Sequence, residues 1–220
     1  MNVKLIGFTP DPEKLPAMAA KLTHSKIKPE ELDKTPEKEL KAVLKQVVGF
    51  GHASVLEHAS FTFAISDVSR SLTHQLVRHR IASYSQQSQR YVNLKEPNYV
   101  IPPTIAKNTK MKKAYEQTME RIWQEYNTLL ELGIPAEDAR YVLPNATCTN
   151  IMVTMNARSL LNFFELRCCQ HAQWEIRELA QKMLQQVKKV APTIFEHAGP
   201  VCKTRHVCPE QKKDCPLYPK

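Results

Sequence analysis

Ala59-Ser60-Phe61-Thr62-Phe63-Ala64-Ile65-Ser66-Asp67 runs without a break into Val68-Ser69-Arg70-Ser71-Leu72-Thr73-His74-Gln75-Leu76-Val77-Arg78-His79-Arg80, and the change of period at the join predicts a strand feeding a helix. Aromatic and β-branched residues alternate in the first half, as they do in a strand with one face buried. In the second half Val68, Leu72 and Leu76 recur at a four-residue spacing and predict one buried helical stripe, which also carries His79. At roughly 100° per residue, Arg78 and Arg80 leave opposite flanks of that stripe, with Gln75 behind Arg78 on the same side. The following run, Ser83-Tyr84-Ser85-Gln86-Gln87-Ser88-Gln89, has no apolar period and reads as a loop folded back over the helix end.

This stretch gathers fixed positive charge around a neutral polar loop, which makes an anion its expected ligand. Arg offers a planar fork of donors that fits phosphate or carboxylate at two points and cannot be titrated away. Lys is absent from Gln75 to Leu94, which favours shaped recognition over loose polyelectrolyte binding. An isolated Arg-His-Arg would read only as a helix C-terminus whose dipole attracts Arg.

Working outward, Thr147 to Met155 alternates in the same way and predicts a second long strand feeding a helix that begins near Asn156. Residues 2–7 read as a short strand. Thr35-Pro36-Glu37 has the cap, first-turn proline and acid of a helix running toward Val48, closed by Gly49 and Gly51. A long helix spans 109–132, Gly133-Ile134-Pro135 breaks it, a short helix carries Arg140, and a last helix covers about 171–190. With only five glycines, and Gly49-Phe50-Gly51 not extending into a phosphate-binding fingerprint, a Rossmann fold is excluded. The expected fold is α/β in the α+β sense, a central mostly antiparallel sheet flanked by long helices. Residues 1–198 form one domain and 199–220 a Cys/Pro-rich tail.

A net charge of +9 and a pI near 9.2 point to anionic partners, although many lysines sit in mixed Glu/Lys runs that read as solvated helix faces. The N-terminal apolar run is too short for a signal peptide, and no segment approaches the ~20 apolar residues of a membrane span, so a cytoplasmic protein without a membrane partner is expected. The six cysteines are then expected as thiols or metal ligands before disulfides. Cys202, His206, Cys208 and Cys215 could form a Cys₃His zinc site, but they lack a close cysteine pair, and a mobile reduced tail is the preferred reading. His52, Glu57 and His58 lack metal-protease spacing, so no metal is expected there.

The run from Arg78 to Tyr91 resembles the signature of the flavin-dependent thymidylate synthases, Arg-His-Arg followed after seven residues by Ser. Further blocks in the family's order are Gly51-His52-x-Ser54-x-x-Glu57-His58, Arg140-Tyr141-Val142-Leu143-Pro144, Asn156-Ala157-Arg158-Ser159-Leu160 continuing to Arg167, and His171-Ala172-Gln173-Trp174-Glu175. The resemblance covers most of residues 1–195. It implies methylation of deoxyuridine monophosphate (dUMP) with methylenetetrahydrofolate as carbon donor, FAD as cofactor and NADPH as reductant, in a homotetramer with sites at subunit interfaces.

By resemblance, Gln75, Arg78, Gln86, Gln87, Ser88, Gln89, Arg90, Arg140 and Arg167 hold dUMP, with Arg78 supplied across a subunit boundary. Arg167 is the expected catalytic residue. Thr23, His52, Ser54, Glu57, Arg78, His79, Arg80, Asn156, Arg158, Asn162 and Leu166 would hold FAD. Some of these positions also have plainer readings. Ser54-x-x-Glu57 is a capping box by pattern, Arg158, Asn162 and Leu166 are a polar helix face four residues apart, and Thr23 is equally a turn residue. Many family members have Glu where this chain has Gln86, and an amide cannot ionise. Cys168 and Cys169 read as small buried hydrophobes. The rival from another class is a basic nucleic-acid-binding module, suggested by charge and the Arg/Tyr-rich loop.

Overall fold

Strand β2 (Ser60–Ser69) buries Phe61, Phe63, Ile65 and Val68, and its neighbour β4 (Cys148–Asn156) buries Thr149, Ile151, Val153 and Met155, so the two predicted alternations form the sheet's centre. The computed structural model describes residues 1–219. Its sheet has the order β1-β2-β4-β3, with β1 (Asn2–Phe8) and β3 (Ser83–Gln86) at the edges. The amide of Ala157 donates to the carbonyl of Ala59 and that of Arg70 to Thr147, so β2 and β4 run antiparallel. The helices are α1 (Lys14–Thr23), α2 (Glu37–Gly49), α3 (Arg70–Leu76), α4 (Pro103–Ala106), α5 (Thr109–Glu131), α6 (Ala136–Ala139), α7 (Ala157–Arg167), α8 (Trp174–Val190), α9 (Pro192–Phe195) and α10 (Val201–Thr204). The α+β class without a Rossmann unit is therefore observed. No helix among the described residues is long and apolar enough to cross a membrane.

The chain divides into two units. The first comprises Met1–Asn2, Ile65–Arg78 and Ser85–Met152. It buries Leu72 and Leu76 of α3 and Met119, Trp123 and Tyr126 of α5. Polar ends on α5 tie down the preceding loop, because Trp123 Nε1 donates to the Leu94 carbonyl at 2.8 Å and the Tyr115 hydroxyl to that of Val100 at 3.0 Å.

The second unit comprises Val3–Ala64, His79–Tyr84 and Val153–Lys220. It buries Leu160, Phe163 and Phe164 of α7 and Ile176, Leu179, Met183 and Val187 of α8. Its aromatic rings form a continuous series of edge contacts, Phe61 to Phe195 at 5.5 Å, Phe195 to Phe164 at 6.0 Å and Phe164 to Phe163 at 5.7 Å. Such contacts are worth ~0.5–1.5 kcal/mol each beyond burial and make a stiff base for whatever the last ring touches.

Several local expectations are corrected. The helix after β2 ends at Leu76, Val77 and Arg78 form a turn, and His79 and Arg80 are not helical. Val68 is buried as predicted but as the end of a strand, and Ser69, whose Oγ accepts from Leu72 N at 3.0 Å, starts the helix instead. Ser83–Gln86 is a strand and not a loop, because the edge of β4 supplies the backbone partners that its polar side chains cannot predict. Ser54 and Glu57 make no capping box. They lie in a 3₁₀ segment, Ala53–His58, without a side-chain cap. Thr35 does not cap α2 either, since Pro36 occupies the cap position.

Candidate functional site

In the first unit the polar loop is fixed from the sheet side. The Gln87 amide donates to the Asn150 carbonyl at 2.9 Å, and Asn150 Nδ2 donates to Gln87 Oε1 at 3.1 Å. Asn150 Oδ1 also accepts from the amide of Asp67 at 3.3 Å, where the strand passes through a left-handed residue with φ of 56°. Ser88 Oγ accepts from the amide of Arg90 at 3.1 Å, which closes a two-residue turn of the loop. Gln86 Nε2 donates to the hydroxyl oxygens of Thr73 at 3.2 Å and Thr149 at 3.3 Å. Because Thr73 spends its own proton on the Arg70 carbonyl, its hydroxyl offers residue 86 only a lone pair. That environment suits an amide donor and opposes a carboxylate.

The cations of this unit differ in how they are held. Arg90 is paired with Glu137, Nη2 lying 2.9 Å from Oε2. Arg140 instead donates from Nε to the backbone carbonyl of Glu137 at 2.9 Å. Burial, and then the charge of Arg140, pull the Arg70 guanidinium below its usual range, so two like charges stand close together. An anion would relieve that repulsion. Arg78 and Gln75 follow one another at the end of α3, with the Arg78 amide on the Gln75 carbonyl and the Arg78 side chain exposed.

In the second unit the aromatic series ends on His79, whose ring meets Phe163 edge-on at 4.9 Å. Arg167, the last residue of α7, donates from Nε to His79 Nε2 at 3.0 Å. The Tyr84 hydroxyl donates to the His79 carbonyl at 2.8 Å and holds the backbone. Burial, and then the Arg167 charge, push His79 down to about 4, which keeps the imidazole neutral and its Nε2 an acceptor at ordinary pH. Burial also pulls Arg167 below its usual range and pushes the Tyr84 phenol up to about 12.

Asn156 caps α7 as predicted, its Oδ1 accepting from Ser159 N at 2.8 Å. Arg158, Asn162 and Leu166 then share one exposed face. Arg158 Nη1 lies 2.6 Å from Glu57 Oε1. The 3₁₀ segment carrying Ser54 and Glu57 packs against both α7 and α1, the helix that ends with Thr23. Thr23 donates its hydroxyl within its own helix, to the Ala20 carbonyl at 2.7 Å. His52 stands beside the ring of Phe50 at 6.0 Å.

The donor chemistry of this unit fits a flavin dinucleotide. Arg158 and Arg80 are exposed cations suited to a pyrophosphate, Asn162 and Asn156 carry amides for ring heteroatoms, and Leu166, 52% exposed, and Phe50, 68% exposed, are apolar surface that a flat ring would cover. A cavity of about 490 Å³ lies elsewhere in the unit, lined by residues that include Cys168, Lys188, Lys203 and Leu217. It contains none of the predicted site residues, so ligand recognition is better read from the polar clusters.

The predicted nucleotide residues Gln75, Arg78, Gln86, Gln87, Ser88, Gln89, Arg90 and Arg140 thus all fall in the first unit. Arg167 and the predicted flavin residues other than Arg78 fall in the second. Sequence reasoning missed Thr73, Thr149 and Asn150, which orient the two glutamines, along with Glu137 and Arg70. Asn150 had a signal, an amide in the middle of a β-branched alternation.

A family described as thymidylate synthase complementing protein matches residues 4–193. A protein of Geobacter sulfurreducens named flavin-dependent thymidylate synthase is 51% identical, over 98% of this chain and 94% of that protein. One of Pyrococcus abyssi with the same name is 43% identical over 96% of this chain and 91% of its own length. Among solved structures, the UMP/dUMP methylase PolB of Streptomyces cacaoi, bound with 5-Br dUMP, superposes with a TM-score of 0.77 over 89% of this chain and 93% of its own. At 24% identity that likeness concerns the fold.

Proposed function

Since the chain belongs to the family of flavin-dependent thymidylate synthases, we propose that it methylates dUMP to deoxythymidine monophosphate, taking the carbon from methylenetetrahydrofolate and reducing equivalents from NADPH by way of bound FAD. The observation that carries the reading is Arg167, held by a neutral histidine on a stiff aromatic base at the end of the helix that bears Arg158 and Asn162. Bound FAD supplies the hydride and one-carbon transfer chemistry. The protein's own work is to bind, align and stabilise.

Gln75, Arg78, Gln87, Ser88, Gln89, Arg90 and Arg140 bind the nucleotide, whose phosphate meets the closely spaced guanidinium groups. Gln86 positions the strand edge through its two threonines. Ser88 binds and does not attack, because its hydroxyl contacts a backbone amide and no base. Arg167 directs its charge at a uracil carbonyl and stabilises the negative charge that builds as C5 becomes nucleophilic, a donor aligned before the reaction begins. Thr23, His52, Ser54, Glu57, Arg78, His79, Arg80, Asn156, Arg158, Asn162 and Leu166 serve the flavin.

The working form is a cytoplasmic homotetramer in which Arg78 reaches a neighbouring subunit's nucleotide. In support, its side chain is exposed and no hydrogen bond or ion pair engages it among the described residues. The test is release of tritium from C5-labelled dUMP by protein reconstituted with FAD. Release that requires methylenetetrahydrofolate and NADPH is expected, and a protein that takes up no flavin from excess FAD sinks the proposal.

A further inference from the structure

The alternation of β2 breaks once. Phe61, Phe63 and Ile65 are buried at every second position, yet the next buried residue is Val68, three further on. Thr62 faces Thr154 across the strand pair, their hydroxyl oxygens 2.9 Å apart, whereas Arg70 donates its amide to the Thr147 carbonyl, so eight steps along β2 match seven along β4. The surplus residue is absorbed at Asp67, whose φ of 56° is left-handed. This is a β-bulge, and Asp is among the few non-glycine residues that tolerate that conformation, at a steric cost. What the bulge gains is the direction of one N–H.

The Asp67 amide donates at 3.3 Å to Asn150 Oδ1. A backbone N–H is a donor and nothing else, so this contact decides which end of the Asn150 amide is oxygen. Nδ2 is then the end that reaches Gln87, donating to Oε1 at 3.1 Å, and the acceptor it meets is the oxygen of that second amide. The Asn150 carbonyl also takes the Gln87 amide at 2.9 Å, so backbone and side chain of one residue clamp backbone and side chain of the other. The sense of each amide passes from Asp67 through Asn150 to Gln87 with no free choice at any step. Gln87 is exposed, and what remains of its side chain is Nε2, a donor that no hydrogen bond engages among the described residues.

Gln86, its neighbour at the end of β3, is locked the other way. Thr73 donates its hydroxyl to the Arg70 carbonyl at 3.0 Å and so meets Gln86 as an acceptor, which turns Nε2 inward at 3.2 Å. Consecutive glutamines thus have opposite ends fixed, each traced to a backbone group that cannot change its role. Water donates and accepts alike, so only a ligand with one kind of atom at that point gains from a fixed sense.

We propose that Asn150 is a positioning residue for the nucleotide site: held by the bulge at Asp67, it keeps Gln87 a donor only, for an acceptor oxygen of dUMP. This rests on the nucleotide reading above, in which Gln87 is one of the binding residues, and adds the residue that sets its polarity. Both a phosphate oxygen and an oxygen of the nucleoside accept from such a group. A ligand that presents an N–H or O–H there is refused, because donor would face donor.

The experiment uses the full chain loaded with FAD, with dUMP dissociation constants from equilibrium titration and kcat and KM from tritium release. Gln87→Leu should raise the dUMP constant about tenfold and Asn150→Ala about three- to tenfold, with kcat within about twofold of the parent. Both side chains are exposed, so urea midpoints should stay near the parent's. In the Gln87→Leu background Asn150→Ala should add less than about twofold, because it acts through Gln87. Asn150→Asp keeps an acceptor for Asp67 but turns Gln87 over. It should therefore cost more than Asn150→Ala, and the excess should shrink in the Gln87→Leu background. Losses seen with dUMP but not with deoxyuridine as competitor assign the acceptor to the phosphate, and equal losses with both assign it to the nucleoside. Additive effects of Asn150→Ala and Gln87→Leu, or no loss in either, overturn the positioning role while the parent still binds and turns over dUMP. A parent that binds no dUMP overturns the nucleotide reading itself, and the positioning role with it.

Discussion

His79→Phe isolates the contact on which the catalytic reading turns. Phe keeps an aromatic edge against Phe163, at 4.9 Å in the parent, and deletes the acceptor that Arg167 Nε reaches at 3.0 Å. Packing should therefore be kept, folding stability should fall by no more than the worth of that one hydrogen bond, and the alignment of Arg167 is lost. A hydrogen bond to a charged group is worth about 1.5–3 kcal/mol, so kcat/KM for dUMP should fall about 10- to 150-fold if that alignment is spent on the transition state. The acid limb gives an independent readout. His79 sits at about 4 against an ordinary 6.5. Being a base with a depressed value, it contributes stability that is complete above pH ~6.5 and gone once the pH has fallen through ~4. The full difference corresponds to roughly 3 kcal/mol, which partial exposure of the ring to solvent reduces to about 1–2 kcal/mol. Steady-state tritium release and urea unfolding between pH 4 and 7 measure both effects. A variant with kcat/KM within about threefold of the parent, or one that keeps the parent's acid-limb loss of stability, would refute the reasoning.

Arg158→Ala should weaken retention of FAD by about tenfold or more through loss of a charge-assisted bond, with less than ~1 kcal/mol change in stability because its pair with Glu57 is exposed; unchanged flavin affinity in equilibrium titration counts against the assignment. Gln86→Glu should destabilise the fold by about 1–3 kcal/mol near neutral pH, since a carboxylate would face the Thr73 lone pair, and the loss should shrink as acid protonates the new carboxyl; a neutral effect in urea titration contradicts the network described. Ser88→Ala should keep measurable turnover with a higher apparent constant for dUMP, and complete loss of turnover with intact binding argues for a chemical role. Arg78→Ala should chiefly weaken dUMP and Arg80→Ala chiefly FAD, each by a charge-assisted bond of about 1.5–3 kcal/mol; equal loss of dUMP affinity in both, with FAD unchanged, removes the distinction.

The last of these expectations loses the opposed-flank argument that periodicity offered, because the chain is not helical through Arg80, and it stands as a proposal on the family resemblance alone. The four-residue spacing of Val68, Leu72 and Leu76 identified three buried residues but drew one helix through a strand end and a turn. Burial is legible in a period, whereas the register at which β-structure yields to helix depends on Ser69 capping α3, a contact the period does not contain. The long alternations of β2 and β4 and the Asn156 cap were legible because local chemistry and tertiary packing agree there. The strand at Ser83–Gln86 was not, because its reason to be extended lies on β4, far away in sequence. Gln86 as a departure from the family was visible, but its compensation by Thr73 and Thr149 needed the fold.

The pairings of the cations sort them by the work they can do. Arg90 and Arg158 face carboxylates, Glu137 and Glu57, so an incoming anion must compete with an existing partner, and much of the new attraction is offset by the old one lost. Arg167 and Arg140 are restrained by uncharged acceptors, the imidazole of His79 and the backbone carbonyl of Glu137. A neutral acceptor fixes direction without cancelling charge, leaving the full cation for a ligand or for charge that appears during reaction. Burial of both His79 and Arg167 strengthens that effect by thinning the water between charge and target, and it requires the histidine to stay neutral. The low value of about 4 for His79 is therefore a condition of the role proposed for Arg167. A protonated ring could not accept from Nε, and the two cations would repel each other where the substrate's charge must be met.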